Sequence, residues 1–262
     1  MSGSVPLDDR GLLLGDGLFE TVLVKAGQPV LWDAHVQRLA RGCAALDLPT
    51  PDPSALALAA SQAVTTAAVG QGRAALRLTW TAGSGGRGLE RPAQPAPRLL
   101  ATVADAPRVQ GPATLALVEI RRNPSSPTAR HKTLAYLDNV MARRQARASG
   151  ADEAVLLNPQ GEIAGCAAAN LFWIAQDRLH TPALDCGALE GIMRAQVIAA
   201  ARAMGLAVVE AHATLTALEG AAAAFLTNSL IGVRPVSRID GVRFGENAQI
   251  EALAKAVAEF AD

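Results

Sequence analysis

The segment Arg122-Asn-Pro-Ser-Ser-Pro-Thr-Ala-Arg130 divides a chain of 262 residues into two parts of similar length. It contains two prolines and no apolar side chain larger than alanine, which is typical of a linker between domains. We therefore predict an N-terminal domain over residues 1–121, an interdomain linker over 122–130 and a C-terminal domain over 131–262.

Both predicted domains combine strands with helices. The β-branched run Leu18–Val24 returns at Pro29–Trp32 as a hairpin, and Asp33 follows as a candidate helix cap. Periodicity predicts further strands at 74–81, 98–104, 113–121, 153–157, 162–166, 170–174, 207–211 and 223–227, and helices at 54–69, 136–149, 192–204 and before Phe260. The predicted fold class is therefore α+β, with two such domains.

Charge and composition exclude several classes of protein. Lys+Arg 24 and Asp+Glu 24 cancel, so the chain lacks the basic surface of a general nucleic-acid-binding protein. No apolar run reaches the roughly 18 residues of a membrane span, and the N-terminus lacks the pattern of a signal peptide. Cys43, Cys166 and Cys186 form no CxxC pair, which argues against a disulfide scaffold or a structural zinc site. We expect a soluble, cytoplasmic protein with no nucleic-acid or membrane partner.

Lysine occurs only at Lys25, Lys132 and Lys255, so an amine nucleophile has three candidates. Lys25 lies in a predicted turn and Lys255 on the polar face of the last helix, as solvated lysines do. Lys132 lies at the predicted domain junction, where burial and the neighbouring cation Arg130 favour a neutral amine. A neutral amine suits Schiff-base chemistry, although a single solvated lysine is the simpler alternative.

Two segments and one arginine are suited to binding a phosphate. Glu190-Gly-Ile-Met-Arg194 opens a helix, whose free N–H groups favour an anion, and Thr227-Asn-Ser-Leu230 ends a buried strand with polar side chains. Arg38 adds a charged donor on an earlier helix. The alternatives are an N-cap, a turn and a surface arginine. Together with a candidate imine lysine, these features indicate pyridoxal phosphate as the cofactor.

The sequence Gly83-Ser-Gly-Gly-Arg-Gly88 has the spelling GxGxxG of a dinucleotide-binding fold. That motif requires a helix to begin at the glycines, but Leu89-Glu-Arg-Pro92 follows them. The Rossmann interpretation is therefore excluded. A flexible loop and a loop that lines a site remain as alternatives.

The chain resembles the class IV (fold-type IV) pyridoxal-phosphate enzymes over nearly its whole length. Within them it is most similar to the aminodeoxychorismate lyases, while branched-chain and D-amino-acid aminotransferases share most of the same motifs. The motifs that carry the resemblance are Arg10-Gly-Leu-Leu-Leu-Gly-Asp-Gly-Leu-Phe-Glu20, Ala34-His-Val-Gln-Arg-Leu39, Gly83–Gly88, His131-Lys-Thr-Leu134, Gly150-Ala-Asp-Glu-Ala-Val-Leu-Leu157, Ala167-Ala-Ala-Asn-Leu-Phe-Trp173, Gly191-Ile-Met-Arg194 and Thr227-Asn-Ser-Leu-Ile-Gly-Val-Arg-Pro-Val236.

The resemblance implies a two-domain fold like that of D-amino-acid aminotransferase, with pyridoxal 5′-phosphate in the interdomain cleft of a homodimer. It implies that Lys132 binds the cofactor covalently and moves protons. The phosphate-binding groups that it implies are Arg38, the backbone N–H groups of Ile192 and Met193, and Ser229 with Leu230. Arg130 and Arg234 are candidates for binding substrate carboxylates. Such a role of Arg234 favours the aminotransferase, and the alternative for Arg234 is a surface ion pair.

The function that the resemblance implies is conversion of 4-amino-4-deoxychorismate to 4-aminobenzoate and pyruvate, a step of folate biosynthesis. The alternative is an aminotransferase of branched-chain or D-amino acids. A third interpretation, a protein that binds the cofactor with weak turnover, is motivated by one departure from the family pattern. Gly165 stands where the family usually has a glutamate that faces the pyridine nitrogen, and Glu162 should point to the opposite face.

Overall fold

The computed structural model describes residues 4–70 and 72–261. Residues 1–3, on which part of the expectation about a signal peptide depends, lie outside the described residues, as do Gln71 and Asp262. Contacts divide the chain into two compact units. The first comprises Met1–Pro107 with His131–Tyr136, and the second comprises Arg108–Arg130 with Leu137–Asp262.

The helices of the described residues are mostly short, and none is both long and apolar enough to cross a membrane. They are α1 (Arg10–Leu14), α2 (Trp32–Ala45), α3 (Pro53–Thr66), α4 (Pro127–Arg130), α5 (Leu137–Ala148), α6 (Ile192–Ala203), α7 (Thr216–Glu219) and α8 (Ala248–Ala256), with 3₁₀ turns at Leu184–Cys186 and Ala258–Phe260.

The strands form one sheet in each unit. They are β1 (Gly17–Lys25), β2 (Gln28–Pro29), β3 (Arg73–Thr81), β4 (Arg98–Asp105), β5 (Ala113–Arg121), β6 (Glu153–Leu157), β7 (Ile163–Cys166), β8 (Asn170–Ala175), β9 (Arg178–Pro182), β10 (Val208–Ala211), β11 (Ala223–Asn228), β12 (Gly232–Ile239) and β13 (Val242–Arg243).

The first unit is a four-stranded antiparallel sheet in the order β2-β1-β3-β4. Alternation in β3 places Leu76 and Leu78 on one buried face, where they pack with Leu39 of α2 and Leu56 of α3. This is the half-buried strand that the alternation predicts. The predicted cap at Asp33 is wrong, because Leu31 precedes the helix in a left-handed conformation and Asp33 lies within the first turn.

The second unit is a mixed sheet in the order β10-β9-β8-β11-β12-β5-β6-β7, with β13 paired to β12. Helices α6 and α8 cover one part of it through Met193, Val197 and Leu253, which pack with the stacked rings of Phe172 and Phe225. Strand β9 and helix α7 do not appear in the sequence prediction, and of the pair β12 and β13 the sequence predicts only the hairpin turn at Asp240-Gly241, which the pairing of Ile239 with Val242 confirms. Strand β12 contains Pro and several partly exposed polar residues, so its pattern matches no single period.

The structure divides the chain differently from the predicted domains 1–121 and 131–262. Strand β5 belongs to the second unit because it pairs in parallel with β6 and β12. The segment 131–136 belongs to the first unit, since Thr133 pairs with Leu18 and the Phe19 N–H donates to the Lys132 carbonyl at 2.9 Å. The predicted linker 122–130 lies within the second unit and contains α4.

Candidate active site

Lys132 lies against β1, next to two aromatic rings of its own unit. Its Nζ is 4.2 Å from the ring centroid of Phe19 and 5.4 Å from that of Tyr136. The two rings meet edge to face at 5.0 Å, so they form one apolar wall beside the amine. Tyr136, which the sequence favours as a helix residue, instead lies just before α5 and lines this wall. The attraction between the ammonium group and the two rings favours this position of the amine.

The hydroxyl of Thr133, next to Lys132, is buried and has no hydrogen-bond partner in the described part of the chain. Such an orphaned polar atom is rare in a folded interior, and it is common where a ligand completes the bonding. The Thr133 hydroxyl is therefore a candidate contact for a ligand in this part of the first unit. The sequence offered no signal for it beyond its place beside the lysine.

A buried ion pair joins β1 to α2 in the same unit. Arg38 donates to both carboxylate oxygens of Glu20, at 2.8 Å from Nε to Oε1 and 2.6 Å from Nη2 to Oε2. His35 Nδ1 lies 2.7 Å from Glu20 Oε2. The side chains of Glu20 and His35 are each 1% exposed and that of Arg38 is 10% exposed, so the guanidinium is held rigidly near the surface of the unit.

The protonation states of this cluster follow from its contacts. Burial raises the pKa of Glu20, but the charge and hydrogen bonds of Arg38 and the hydrogen bond of His35 outweigh it, and the pKa falls to about 2. Burial lowers the pKa of His35 more than Glu20 raises it, with further lowering by the charges of Arg38 and Lys132. His35 is therefore neutral at neutral pH, and its Nδ1–H donates to the carboxylate, which can only accept.

The fork of two hydrogen bonds uses one edge of the Arg38 guanidinium. A guanidinium is planar, so these two hydrogen bonds fix the plane of the Arg38 side chain. Glu20 and His35 were missed as functional residues in the sequence. The available signals were an acid inside the apolar strand Leu18–Val24 and the spacing of His35 and Arg38 on one helix face.

The predicted anion site at the start of α6 has the expected backbone geometry in the second unit. Gly191 is the N-cap and no side chain caps the helix, so the N–H groups of Ile192 and Met193 lie in an uncapped first turn. A Cβ on Gly191 would lie 1.9 Å from Asn170 Oδ1, so only glycine fits. Asn170 Nδ2 also donates to the Leu189 carbonyl at 2.9 Å, which holds this turn.

Asn170 lies between the two segments that are predicted to bind phosphate, the start of α6 and Thr227–Leu230. It pairs with Thr227 across β8 and β11, and the Thr227 hydroxyl is fully buried with no partner among the described residues. Beyond it, the N–H of Leu230 donates to Asn228 Oδ1 at 2.9 Å. This N–H, expected to bind phosphate together with Ser229, is therefore engaged within its own turn. Asn170 was not singled out in the sequence, although it lies in a family motif.

The two candidate substrate arginines differ in their contacts. Arg130 is exposed, and its Nε donates to the Pro124 carbonyl at 3.0 Å. Arg234 donates to the Gly111 carbonyl at 3.0 Å and lies 3.3 Å from Asp152, so its guanidinium is already bound by an acid. These contacts favour an intramolecular role for Arg234.

The glycine segment Gly83–Gly88 is not followed by a helix, in agreement with the exclusion of a dinucleotide fold. The buried guanidinium of Arg10 holds the residues just after it, through the carbonyls of Leu89 and Glu90 at 2.8 and 2.9 Å. Arg10 also pairs with Asp16 at 2.9 Å. The end of the loop is therefore anchored rather than flexible.

Gly165 lies in β7 with φ +122, a conformation that side-chain-bearing residues rarely adopt. Space is not the constraint, since a Cβ there would meet only the Ala169 carbonyl oxygen at 3.7 Å. Glu162 does not replace the missing carboxylate, because it turns toward Asn158, Cys186 and His212. The expectation that Glu162 points to the face opposite Gly165 stays a prediction.

A second carboxyl group near β7 was missed in the sequence. Glu153 of the adjacent strand β6 is 6% exposed, and burial raises its pKa despite the hydrogen bond from the Ala154 N–H and the nearby charge of Arg143. Its carboxylate accepts the Ala154 N–H at 2.8 Å, and Arg143 lies 3.8 Å away. Glu153 is thus bound by backbone and by one cation within its own unit.

The chain is similar to several known proteins. Residues 17–239 match the family described as amino-transferase class IV. The chain is 31% identical to an aminodeoxychorismate lyase of Vibrio harveyi over 241 residues, covering 90% of this chain and 87% of that protein. It is 30% identical to a D-alanine aminotransferase of Listeria monocytogenes serotype 4b, covering 96% and 88%. The crystal structure of a putative 4-amino-4-deoxychorismate lyase from Legionella pneumophila superposes with a TM-score of 0.93 at 30% identity, covering 99% and 96%.

Proposed function

Because the chain belongs to the class IV aminotransferases, a family of pyridoxal-phosphate-dependent enzymes, we propose that it is an aminodeoxychorismate lyase. The reaction would release pyruvate from 4-amino-4-deoxychorismate and leave 4-aminobenzoate, a precursor in cytoplasmic folate biosynthesis. The observation that carries the proposal is Lys132, which lies against Phe19 and Tyr136 in the same unit as the Glu20–Arg38 pair. Similarity to lyases over most of their length favours this chemistry within the family.

The residues present fit pyridoxal phosphate. Its aldehyde requires an amine, and Lys132 offers one. Its phosphate requires several donors, and the first-turn N–H groups of Ile192 and Met193, which no side chain caps, offer them within the second unit. The orphaned hydroxyls of Thr133 and Thr227 are further polar groups without an internal partner. When bound, the cofactor supplies an electron sink for the electron pair left by a departing proton.

We assign proton transfer to Lys132. Its Nζ would take the proton from the substrate ring carbon that bears the amino group, and the ring C–O bond to the enolpyruvyl group would break as the ring becomes aromatic. The released enolpyruvate would take up a proton on its methylene carbon and become pyruvate. The aromatic wall of Phe19 and Tyr136 excludes water on that side of the amine and keeps it at one position. A positioned base of this kind contributes about 10²- to 10⁴-fold to a rate.

Arg38 would bind the phosphate, and Glu20 and His35 would act by positioning it. The carboxylate fixes the plane of the guanidinium through two hydrogen bonds, and neutral His35 fixes the carboxylate. We retain Ser229 as a phosphate contact, while the N–H of Leu230 is already bound to Asn228. Of the arginines proposed for substrate carboxylates, the exposed Arg130 is the better supported, because Arg234 is paired with Asp152.

The test is the product pair. The protein with pyridoxal phosphate is given 4-amino-4-deoxychorismate, and 4-aminobenzoate and pyruvate are measured together. We expect the two products in equal amounts and no change of the bound cofactor over many turnovers. The alternative function is an aminotransferase, which the Listeria monocytogenes relative favours. In that case D-alanine or a branched-chain amino acid would convert the cofactor to its amine form, and the chorismate derivative would yield no pyruvate.

Substitution of Gly165 tests the third interpretation, a protein that binds the cofactor with weak turnover. Gly165→Ala and Gly165→Glu should each lower the free energy of unfolding by about 1–3 kcal/mol, because φ +122 strains any residue with a Cβ. The alanine variant is therefore the matched control for the backbone. Urea unfolding and the initial rate of 4-aminobenzoate formation are measured on both.

The difference in rate between the two variants reports the carboxylate alone. A higher rate in Gly165→Glu than in Gly165→Ala would mean that the natural site is handicapped by its missing acid. A severe loss in the glutamate variant, beyond that of alanine, would mean that the glycine has been adopted for another mechanism.

We also propose that the enzyme is a homodimer. The support within this chain is α1, whose leucines Leu12, Leu13 and Leu14 are 59%, 63% and 44% exposed. Consecutive exposed leucines on one short helix are typical of a surface that another chain covers. We expect Leu12→Asp/Leu13→Asp to elute as a monomer in size-exclusion chromatography with light scattering, while Leu58→Asp, an exposed leucine of α3, leaves the mass unchanged. A wild-type monomer would contradict the proposal.

A further inference from the structure

Three potential metal ligands meet within the second unit, away from every residue assigned above. Cys186 Sγ lies 3.4 Å from His212 Nδ1 and 3.6 Å from Glu162 Oε2, and His212 Nδ1 lies 3.2 Å from Glu162 Oε1. The three donor atoms all lie within 4.8 Å of one another. Sulfur, imidazole nitrogen and carboxylate oxygen are the ligand types that Zn²⁺ binds in proteins.

The spacing of the donors matches a tetrahedral zinc centre. Bond lengths of about 2.3 Å to sulfur and 2.0–2.1 Å to nitrogen and oxygen give tetrahedral edges of about 3.6 Å for S···N, 3.5 Å for S···O and 3.3 Å for N···O. The corresponding distances here are 3.4, 3.6 and 3.2 Å. The two contacts to Glu162 use different carboxylate oxygens, so a small rotation brings either oxygen into the ligand position.

Two further residues hold the ligands in place. Asp185 Oδ1 lies 3.1 Å from His212 Nε2, and Asn158 Nδ2 donates to Glu162 Oε2 at 2.7 Å. A carboxylate on the far nitrogen of a histidine is the usual support of a metal-bound imidazole, because it fixes the tautomer and the ring plane. With a proton on Nε2, the Nδ1 lone pair of His212 points at Cys186 and Glu162.

In that tautomer, His212 Nδ1, Cys186 Sγ and the Glu162 carboxylate all face one another as acceptors. The only hydrogen-bond donor among them is the thiol proton of Cys186. A cation between them removes this conflict, and the two carboxylates of Glu162 and Asp185 add favourable charge. The alternative is a metal-free arrangement in which His212 contacts both acids. These two states differ in what they bind, so they can be distinguished.

The backbone fixes the cluster before any ion arrives. The Ile163 N–H donates to the Ala213 carbonyl at 2.7 Å, and Glu162 forms a bridge with Thr214. The site is also open on one side, since the side chain of His212 is 52% exposed while Cys186 is buried. An open side leaves room for a water molecule as fourth ligand and for entry of the ion.

We propose that Glu162, Cys186 and His212 bind one Zn²⁺ ion with water as the fourth ligand, and that Asp185 and Asn158 orient the ligands. The ion would tie β7 to the 3₁₀ turn Leu184–Cys186, which leads to the start of α6. The lack of a CxxC pair in the sequence argues against a structural zinc site, and the proposed site departs from that expectation by using a single cysteine. The proposal is independent of the lyase activity.

The test uses Co²⁺ as a spectroscopic probe for Zn²⁺. Protein with its cofactor and without a histidine tag is dialysed against chelator and then titrated with Co²⁺. We expect about one Co²⁺ per chain, with the visible bands of tetrahedral Co²⁺ bound to sulfur, and loss of these bands on addition of Zn²⁺. Each spectrum is read against the same sample before addition of metal, so cofactor absorbance cancels.

Matched variants locate the ion. His212→Ala and Cys186→Ser should abolish the bands, whereas His180→Ala and Cys43→Ala, a histidine and a cysteine outside the cluster, should retain them. Asp185→Asn should weaken metal binding about 10- to 100-fold, as loss of a supporting carboxylate does. Because His212 is half exposed, its removal tests the site even where Cys186→Ser fails to fold.

Failure to bind metal in the wild type would overturn the proposal, and so would binding that persists in both His212→Ala and Cys186→Ser. Either result would assign the cluster to the metal-free ion pair of His212 with Glu162 and Asp185. Neither result would bear on pyruvate release, so failure of this proposal is distinguishable from failure of the proposed function.

Discussion

Replacement of Lys132 by alanine is expected to abolish both the visible absorbance of the cofactor complex and the formation of 4-aminobenzoate. The absorbance requires a covalent bond between an amine of the protein and the cofactor, and Lys132 is the amine that lies beside the aromatic wall of Phe19 and Tyr136. Loss of the positioned base alone lowers the rate by about 10²- to 10⁴-fold.

The small number of lysines makes this experiment well controlled. The chain has only Lys25 and Lys255 besides Lys132, so Lys25→Ala and Lys255→Ala complete the set of single substitutions. Both should keep the absorbance and the rate, because Lys25 ends β1 and Lys255 lies in the last turn of α8. Lys132→Arg keeps the positive charge and the contact with Phe19 but cannot form the covalent bond.

Spectra recorded with pyridoxal phosphate and initial rates are compared across the four variants. Full activity in Lys132→Ala would refute the assignment of the base, and loss of the band in Lys25→Ala would move the cofactor lysine elsewhere. A wild type without any such absorbance would mean that the family resemblance has preserved the fold without its chemistry.

Local patterns predict many of the secondary-structure elements, because their causes are local. Strand β5 covers Ala113–Arg121 as its alternation predicts, and α6 ends close to Gly205 as a C-terminal glycine requires. The domain division was not predictable in the same way. Strand β5 joins the second unit only through its pairing with β6 and β12, which lie far along the chain. No local period reports which strand a given strand pairs with.

Site residues were predicted where their signal is local, and they were missed where it depends on contacts between distant parts of the chain. Lys132 and Arg38 carry chemistry that is visible in a single residue and its neighbours. Glu20, the acid that Arg38 contacts, lies 18 positions before it, and its importance follows only when β1 and α2 are packed together. The cluster of Glu162, Cys186 and His212 spans separations of 24 and 26 residues, so its geometry appears only in the folded unit.

Replacement of Arg38 by methionine is expected to destabilise the protein by about 3–5 kcal/mol. The substitution leaves the Glu20 carboxylate buried without its strongest partner, and an uncompensated buried charge has this cost. Arg41→Met, an exposed arginine one turn further along α2, should change the free energy of unfolding by no more than about 0.5 kcal/mol. Urea unfolding at pH 7 without added cofactor measures both, so that altered cofactor binding makes no contribution.

The cluster also predicts how stability depends on pH. The pKa of Glu20 is lowered from its ordinary 4.5 to about 2, so the stability from this carboxylate is complete above pH 4.5 and is lost as pH falls toward 2. That shift corresponds to about 3 kcal/mol. The lowered pKa of His35 acts in the same direction from about pH 6.5 downward, since the unfolded chain takes up the proton first.

The double variant Glu20→Gln/Arg38→Met separates the charge from the packing. It removes both buried charges, so it should be more stable than Arg38→Met alone at pH 7 and should lose less stability than wild type between pH 5 and pH 3. Unfolding curves at these pH values for wild type, the single variant and the double variant give the comparison. Equal acid sensitivity in wild type and the double variant would show that other carboxylates govern acid unfolding and that the Glu20–Arg38 pair contributes no measurable stability.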